Sequence, residues 1–374
     1  IKMPTAPATP PARSEASCHV VGPQLGVGGF KFQAAALAGN GRIYAVPFAT
    51  GTRRVLEIDP ETGRAQGIGE ELPQGNARYV TATAAGEAGR VYAVPCNAQR
   101  ALEIDPATGD VREIGEEMVH GGLKYQVAVV APNGKLYGVP FNARRFLEVD
   151  PASRDARQVG PELRQGGFKF LAAVAAPNGR IYAFPFDATR AIEFDTRTAS
   201  VREIGPEFRE GGQLYAAAVL GACGRAYALP LQARRILEVS PGAGEAREMG
   251  PELPGGGFKY QEAVAASNGK VFAIPYDAAR VLELDPASGE VREVGEALTQ
   301  QGEKYTAAAE ASNGCIYAPP CTARRVLEVD TVRGTVREVG SDMGTSEDKY
   351  QVVVAGPGGT SLFAVPYDAP RVLR

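Results

Sequence analysis

No tryptophan occurs in the 374 residues, and histidine occurs only twice, at His19 and His120. The first absence argues against a carbohydrate platform built on indole stacking. The second argues against a metal-assisted site in which several histidines converge. The five cysteines, Cys18, Cys96, Cys223, Cys315 and Cys321, are odd in number and scattered. They suggest neither a disulfide framework nor a paired metal spacing, so a reducing compartment of the cytoplasmic kind is the expectation. No apolar run approaches the length of a membrane span, and no membrane partner is expected. A formal net charge of -3 gives no global attraction to nucleic acid, which is likewise not expected as a partner.

What is abundant is glycine, 45 residues, and proline, 28 residues, a usage that suits many short strands joined by tight turns. Residues 123 to 160 contain one such set. Tyr125 to Ala131 reads as a strand closed by Asn133-Gly134, and Lys135 to Val139 as a second, ended by Pro140. Arg145 to Asp150 is a third, and after the turn Asp150-Pro151-Ala152-Ser153 a fourth runs to Val159 before Gly160.

Nearly everything else repeats that unit. An aromatic residue preceded by a base opens each first strand at Lys31-Phe32, Arg78-Tyr79, Lys124-Tyr125, Lys169-Phe170, Lys259-Tyr260, Lys304-Tyr305 and Lys349-Tyr350, while Leu214-Tyr215 keeps only the aromatic member. Pro47, Pro95, Pro140, Pro185, Pro230, Pro275, Pro320 and Pro366 end the second strands. Seven units are whole. The eighth stops at Val372-Leu373-Arg374, and Val20-Val21-Gly22 near the N-terminus matches the end of a fourth strand with no first three. A ring completed by both ends of the chain explains the two fragments together.

The expected fold is therefore all-β: an eight-bladed β-propeller of four-stranded antiparallel blades, closed by the N-terminal strand joining the C-terminal blade. One propeller domain spans residues 18–374, acting as a monomer. Residues 1–17, rich in Pro, Ala, Thr and Ser, are expected to form a flexible leader. The sequence begins at Ile1 and stops inside a third strand, so its ends are not taken as native.

The repeat also carries a family resemblance. Asn40-Gly41-Arg42-Ile43-Tyr44-Ala45, followed by Leu56-Glu57-Ile58-Asp59-Pro60-Glu61-Thr62-Gly63, resembles YVTN-type propeller repeats and the related NHL-type and lyase-type ones. Leu102 to Gly109 and Leu282 to Gly289 match the second half closely, whereas Asp195-Thr196 and Asp330-Thr331 lack its proline. The resemblance implies a propeller; it does not select a function, because such repeats serve unrelated binding proteins and enzymes.

In a propeller the loops before first strands and after second strands share one rim. That places Lys31, Arg78, Lys124, Lys169, Lys259, Lys304 and Lys349 on the same face as Arg54, Arg100, Arg145, Arg190, Arg235, Arg280, Arg325 and Arg371. The first set is the candidate ligand-binding set. Two readings compete: an anion-binding funnel, or internal pairing with the equally regular Glu57, Glu103, Glu148, Glu193, Glu238, Glu283 and Glu328 and with rim carboxylates such as Glu162, Glu207 and Glu252. Pairing is the expectation, since a residue present in every blade usually belongs to the blade.

Asp59, Asp105, Asp150, Asp195, Asp285 and Asp330 precede turns and lack the oxygen series of a calcium loop. Glu262 and Glu310 interrupt apolar first strands but at different depths, which speaks against an acid/base pair. Cys96 and Cys321 share a repeat position with Phe48, Phe141 and Phe186 and read as small apolar substitutes. The fifth unit departs most, with Gln213-Leu214, Cys223 and Ser240, and marks where an asymmetric ligand would sit. No catalytic set, metal site or cofactor is expected. The chain reads as a noncatalytic binding or scaffolding propeller presenting a basic rim to a protein or an anionic ligand. The alternative is a metal-assisted lyase or hydrolase acting at the central funnel.

Overall fold

Each Asn-Gly pair turns the chain from a blade's first strand into its second. In the third blade Asn133 Oδ1 accepts the Lys135 N–H at 3.1 Å while Asn133 Nδ2 donates to the Tyr137 hydroxyl at 2.9 Å. Gly134 supplies the left-handed φ of 79° that the turn needs. Strands Tyr125–Val130, Leu136–Pro140, Phe146–Asp150 and Asp155–Val159 then follow in ladder order. Pro140 is the last residue of its strand, opposite Tyr125, where its missing N–H costs the ladder least.

The structure is a computed structural model and describes residues 16–26, 29–48, 52–118, 121–164, 166–209, 212–300 and 302–374. The expected leader (apart from Ala16 and Ser17) and His120 lie outside the described residues. Eight four-stranded antiparallel sheets are formed, and the one helical turn among the described residues is Pro357–Gly359.

Seven sheets are continuous in sequence, and the eighth is composite. Its outermost strand is Val20–Val21, paired with Val372–Leu373 through Val20 opposite Leu373 and Val21 opposite Val372. His19 and Arg374 exchange both backbone hydrogen bonds, at 2.9 and 2.8 Å. The inner strand of the first blade, Phe32–Leu37, packs beside that of the eighth, Tyr350–Ala355, so the ring is closed on the axis side as well.

The core lies between blades. The second strands, such as Leu136–Pro140 and Ala226–Pro230, are buried at every position, as expected where both sheet faces meet a neighbour. Each fully buried Leu, Val or Phe there contributes about 1.5–3 kcal/mol of transfer free energy. Glycines ending the fourth strands let blades approach closely. A Cβ at Gly115, where φ is +78°, would sit 2.3 Å from the Ala156 carbonyl of the next blade.

The recurrent strand-three glutamates organise a polar seam inside this core. Glu148 accepts from the Tyr137 hydroxyl at 3.0 Å, Lys135 Nζ at 3.0 Å and Arg157 Nη2 at 3.1 Å. Glu57, Glu103 and Glu193 likewise accept from Tyr44, Tyr92 and Tyr182 at 2.9 to 3.1 Å.

Candidate functional site

The rim that joins fourth to first strands and second to third strands carries the lysines singled out from sequence, and it turns them inward. Lys31, Lys124, Lys169, Lys259, Lys304 and Lys349 are all buried, between 1% and 7% exposed. Their ammonium groups donate to backbone carbonyls: Lys31 to Asp368 O at 3.2 Å, Lys124 to Gly121 O at 3.1 Å, Lys169 to Gly166 O at 2.9 Å. Lys259 reaches Gln232 O at 3.3 Å, Lys304 reaches Gly302 O at 3.5 Å, and Lys349 reaches Thr322 O at 3.3 Å. Burial holds all six below the usual lysine value, and Lys169, with Arg144 nearby, falls to about 8. The position is apolar in character, since the fifth blade fills it with Leu214, packed on the cluster around Tyr215 and Leu237.

Arg78, the seventh member, pairs instead with Glu113 at 2.5 Å. The strand-three glutamates expected to pair with these bases therefore pair elsewhere. Their side chains meet the second-strand tyrosines and the bases that begin second strands: Glu148 lies opposite Tyr137, whereas Lys124 precedes Tyr125, which lies opposite Pro140 at the far end of that strand. The expected rim pairing holds for some of the arginines: Arg190 meets Glu207 at 3.1 Å and Arg145 meets Glu162 at 3.7 Å, with Arg145 and Arg190 also clasping the Gly160 and Gly205 carbonyls, whereas Glu252 pairs with Arg234 and Arg235 donates to the Gly250 carbonyl.

A second feature of the rim is a clasp between blades. Asn97, Asn142, Asp187 and Asp368 each accept the N–H of the residue two before the next blade's opening aromatic, Leu123, Phe168, Gln213 and Phe30, at 2.5 to 2.8 Å. Those four residues are left-handed, with φ between 51° and 60°. Phe30 and Phe168 are held this way although 49% and 43% exposed. Around Phe168 an apolar collar forms: its ring meets Phe141 at 5.1 Å, Phe141 meets Phe186 at 5.7 Å, and Leu123, Leu171, Leu231 and Phe258 complete it. Phe30 packs edge-on against Tyr367 at 5.1 Å.

The collar is interrupted where the seventh blade meets the eighth. There Glu303 and Asp348 stand in the places of Phe30 and Phe168, and Cys321 in the place of Phe141. Their carboxylate oxygens and the thiol sulfur all lie within 4.8 Å of one another. Cys321 is buried, Asp348 half-buried and Glu303 exposed. Burial, then Asp348 and Glu303, push the Cys321 thiol up to about 12. Cys321 is thus more than the small apolar substitute its repeat position suggests, and the cluster is not apparent from the sequence. The available signal was two acids in successive blades at a position that is mostly apolar elsewhere.

The remaining candidates are placed as follows. Asp59 Oδ1 accepts the N–H groups of Glu61 and Thr62, and Asp195 those of Arg197 and Thr198, so these aspartates shape turns. Glu310 accepts from Ser267 N and Oγ at 2.8 and 2.7 Å. Glu262 is half-buried on the inner strand of the sixth blade, where burial raises it to about 7. His19 sits on the outer edge of the eighth blade, remote from the axis.

Fold and rim together define a closed eight-bladed β-propeller. No family model matches the chain, and no curated protein matches it. Solved structures do. Virginiamycin B lyase from Staphylococcus aureus superposes with a TM-score of 0.60 at 13% identity, over 78% of this chain and 92% of that one. A streptogramin B lyase structure matches with a TM-score of 0.59 at 12% identity, over 95% and 96%. Hydrazine synthase from Kuenenia stuttgartiensis matches at 0.55 and 14% identity, over 79% and 94%. These likenesses establish the propeller fold, as the repeat resemblance implied, and the neighbours' activities remain their own.

Proposed function

We propose that the protein is a noncatalytic binding propeller whose ligand face is the rim bearing Phe30 and Phe168. The carrying observation is that two large aromatic side chains are clasped in left-handed backbone and left exposed. A non-glycine residue in that region costs about 1–2 kcal/mol. The conformation itself recurs at this loop in six blades and belongs to the blade; what sets Phe30 and Phe168 apart is a large aromatic ring held exposed on it. Exposed aromatics rimmed by arginines and carboxylates suit a protein partner.

Between the two ligand classes suggested by the sequence, an anionic ligand is the less favoured. An anion drawn to Lys124, Lys169 or Lys259 must first strip their ammonium groups from backbone carbonyls. The lyase or hydrolase reading draws on Glu262, whose value of about 7 suits a general base.

A peptide array probed with the purified chain tests this. Phe30→Ala and Phe168→Ala should each weaken binding of selected peptides by about tenfold, while Lys124→Ala, Lys169→Ala and Lys259→Ala leave it unchanged in folded protein. Tight polyphosphate binding that the lysine variants abolish would reverse the preference.

A further inference from the structure

We propose that Glu303, Cys321 and Asp348 form a site for one borderline-soft divalent cation of the Zn(II) type, joining the seventh blade to the eighth. The ligand atoms already lie within 4.8 Å of one another. On a tetrahedral zinc, with oxygen at about 2.0 Å and sulfur at about 2.3 Å, two such ligands stand about 3.5 Å apart. Small side-chain rotations close that difference.

The carboxylates are oriented from behind. Gln351 Nε2 donates to Asp348 Oδ1 at 3.1 Å, and the Tyr276 hydroxyl lies beside Glu303. Donors that fix ligating carboxylates in this way are a property of built metal sites. Among the described residues no lysine or arginine comes within ion-pair distance of Glu303 or Asp348; the Lys349 ammonium is near enough to Cys321 and Asp348 to interact with them electrostatically, but it and Lys304 donate to the Gly302, Thr322 and Ser346 carbonyls. Glu303, Asp348 and Thr322 line a cavity of about 800 Å³ that Lys304, Arg324 and Arg325 also line; an ion would enter from this side, with Cys321 buried behind the two carboxylates. Thr322 Oγ1, on the same wall, is shielded from solvent and has no hydrogen-bond partner.

The thiol donating to Asp348 at 3.4 Å accounts for that pair, but not for the convergence of a second carboxylate. The protein contains its own comparison. Cys96 occupies the same repeat position in the second blade, where the equivalents of Glu303 and Asp348 are Ala77 and Leu123. Among the described residues no side-chain clasp from the preceding blade reaches the N–H of Asp348, where Thr322 stands in place of Asn97 and Asn142, and none reaches that of Phe258 or Glu303. A cation at the cluster would tie the seventh blade to the eighth. On binding, the Cys321 S–H bond breaks, the sulfur bonds the metal and the proton passes to solvent, with no change of oxidation state. A thiolate in the set selects zinc-type ions over magnesium or calcium.

The test is titration of the chelator-treated full chain with Co(II), read by the sulfur-to-cobalt charge-transfer absorption, followed by displacement with Zn(II). One ion per chain is expected, with the band present in wild type and Cys96→Ser and absent in Cys321→Ser. Asp348→Asn, which keeps the side-chain volume, should weaken binding at least tenfold, and Gln351→Leu by about tenfold. No sulfur band in the wild type, or a band that persists in Cys321→Ser, overturns the assignment. Should Cys321→Ser fail to fold, undiminished affinity in Asp348→Asn overturns it equally.

Discussion

Phe272 lies directly across the ladder from Glu283, and in that pairing Glu283 Oε2 is buried without a hydrogen-bond partner. Four other blades put a tyrosine hydroxyl on the same glutamate, at 2.9 to 3.1 Å. The sixth blade keeps the two bases, Lys270 at 2.8 Å and Arg292 at 2.9 Å, but lacks the donor.

Phe272→Tyr should therefore stabilise the protein. The added hydroxyl meets an acceptor that is already desolvated, a gain of about 1 kcal/mol. Chemical denaturation with the slope held constant reads this, and a loss of stability would show that the space beside Phe272 does not admit the oxygen.

Removing carboxylates should separate seam from rim. Glu103 is fully buried and accepts from Tyr92, from Arg112 at 2.9 Å and from Arg154 of the next blade at 2.6 Å. Glu103→Ala leaves those donors without their shared acceptor and should cost about 3 kcal/mol. Glu207, half exposed beside Arg190, should cost at most about 1 kcal/mol as Glu207→Ala. Equal losses in thermal unfolding would contradict the seam. Burial pushes the Glu103 carboxyl up, but Arg154, Tyr92 and Arg112 outweigh it and hold it below the usual range. Its contribution is present above that range and fades as pH falls through the lowered value.

Lys169 should mark the alkaline side. Its folded value of about 8 lies below that of the unfolded chain, so between about pH 8 and about 10.4 the unfolded state binds more protons. The contribution of this group to stability therefore rises with pH through that window. Lys169→Met should flatten the rise, and the side-chain resonance of Lys169 should titrate before that of Lys135, which pairs with Glu148 and Asp150. Titration of Lys169 at the ordinary lysine value would contradict its burial.

Blade boundaries, the strand-ending prolines of six blades and the composite blade were legible in the sequence because turn chemistry and two-residue alternation fix backbone placement; in the second and seventh blades the second strand stops at Ala93 and Ala318, two residues short of Pro95 and Pro320. Thr196 and Thr331 show how a departure is absorbed: where other blades have proline, each hydroxyl donates to the carbonyl of the neighbouring turn glycine, Gly179 at 2.6 Å and Gly314 at 2.7 Å. Side-chain direction was not legible. Spacing put the lysines on the correct rim, yet only the carbonyls of the facing loops show that Lys169 and its counterparts turn inward. The Glu303, Cys321 and Asp348 cluster escaped for a related reason, since its members are distant in sequence and meet only because consecutive blades abut.

Everything about the rim depends on both chain ends completing one blade. Val20 and Leu373 face each other next to the hydrogen-bonded pair His19 and Arg374, a non-hydrogen-bonded site with a Cα separation of about 4.5 Å that suits a disulfide. In a Cys18→Ser background, Val20→Cys with Leu373→Cys should oxidise at low protein concentration to a monomer lighter by a pair of hydrogens, with the two introduced cysteines joined to each other in the peptide map. Free thiols at both positions after oxidation, or crosslinks only between chains, would contradict the closed ring.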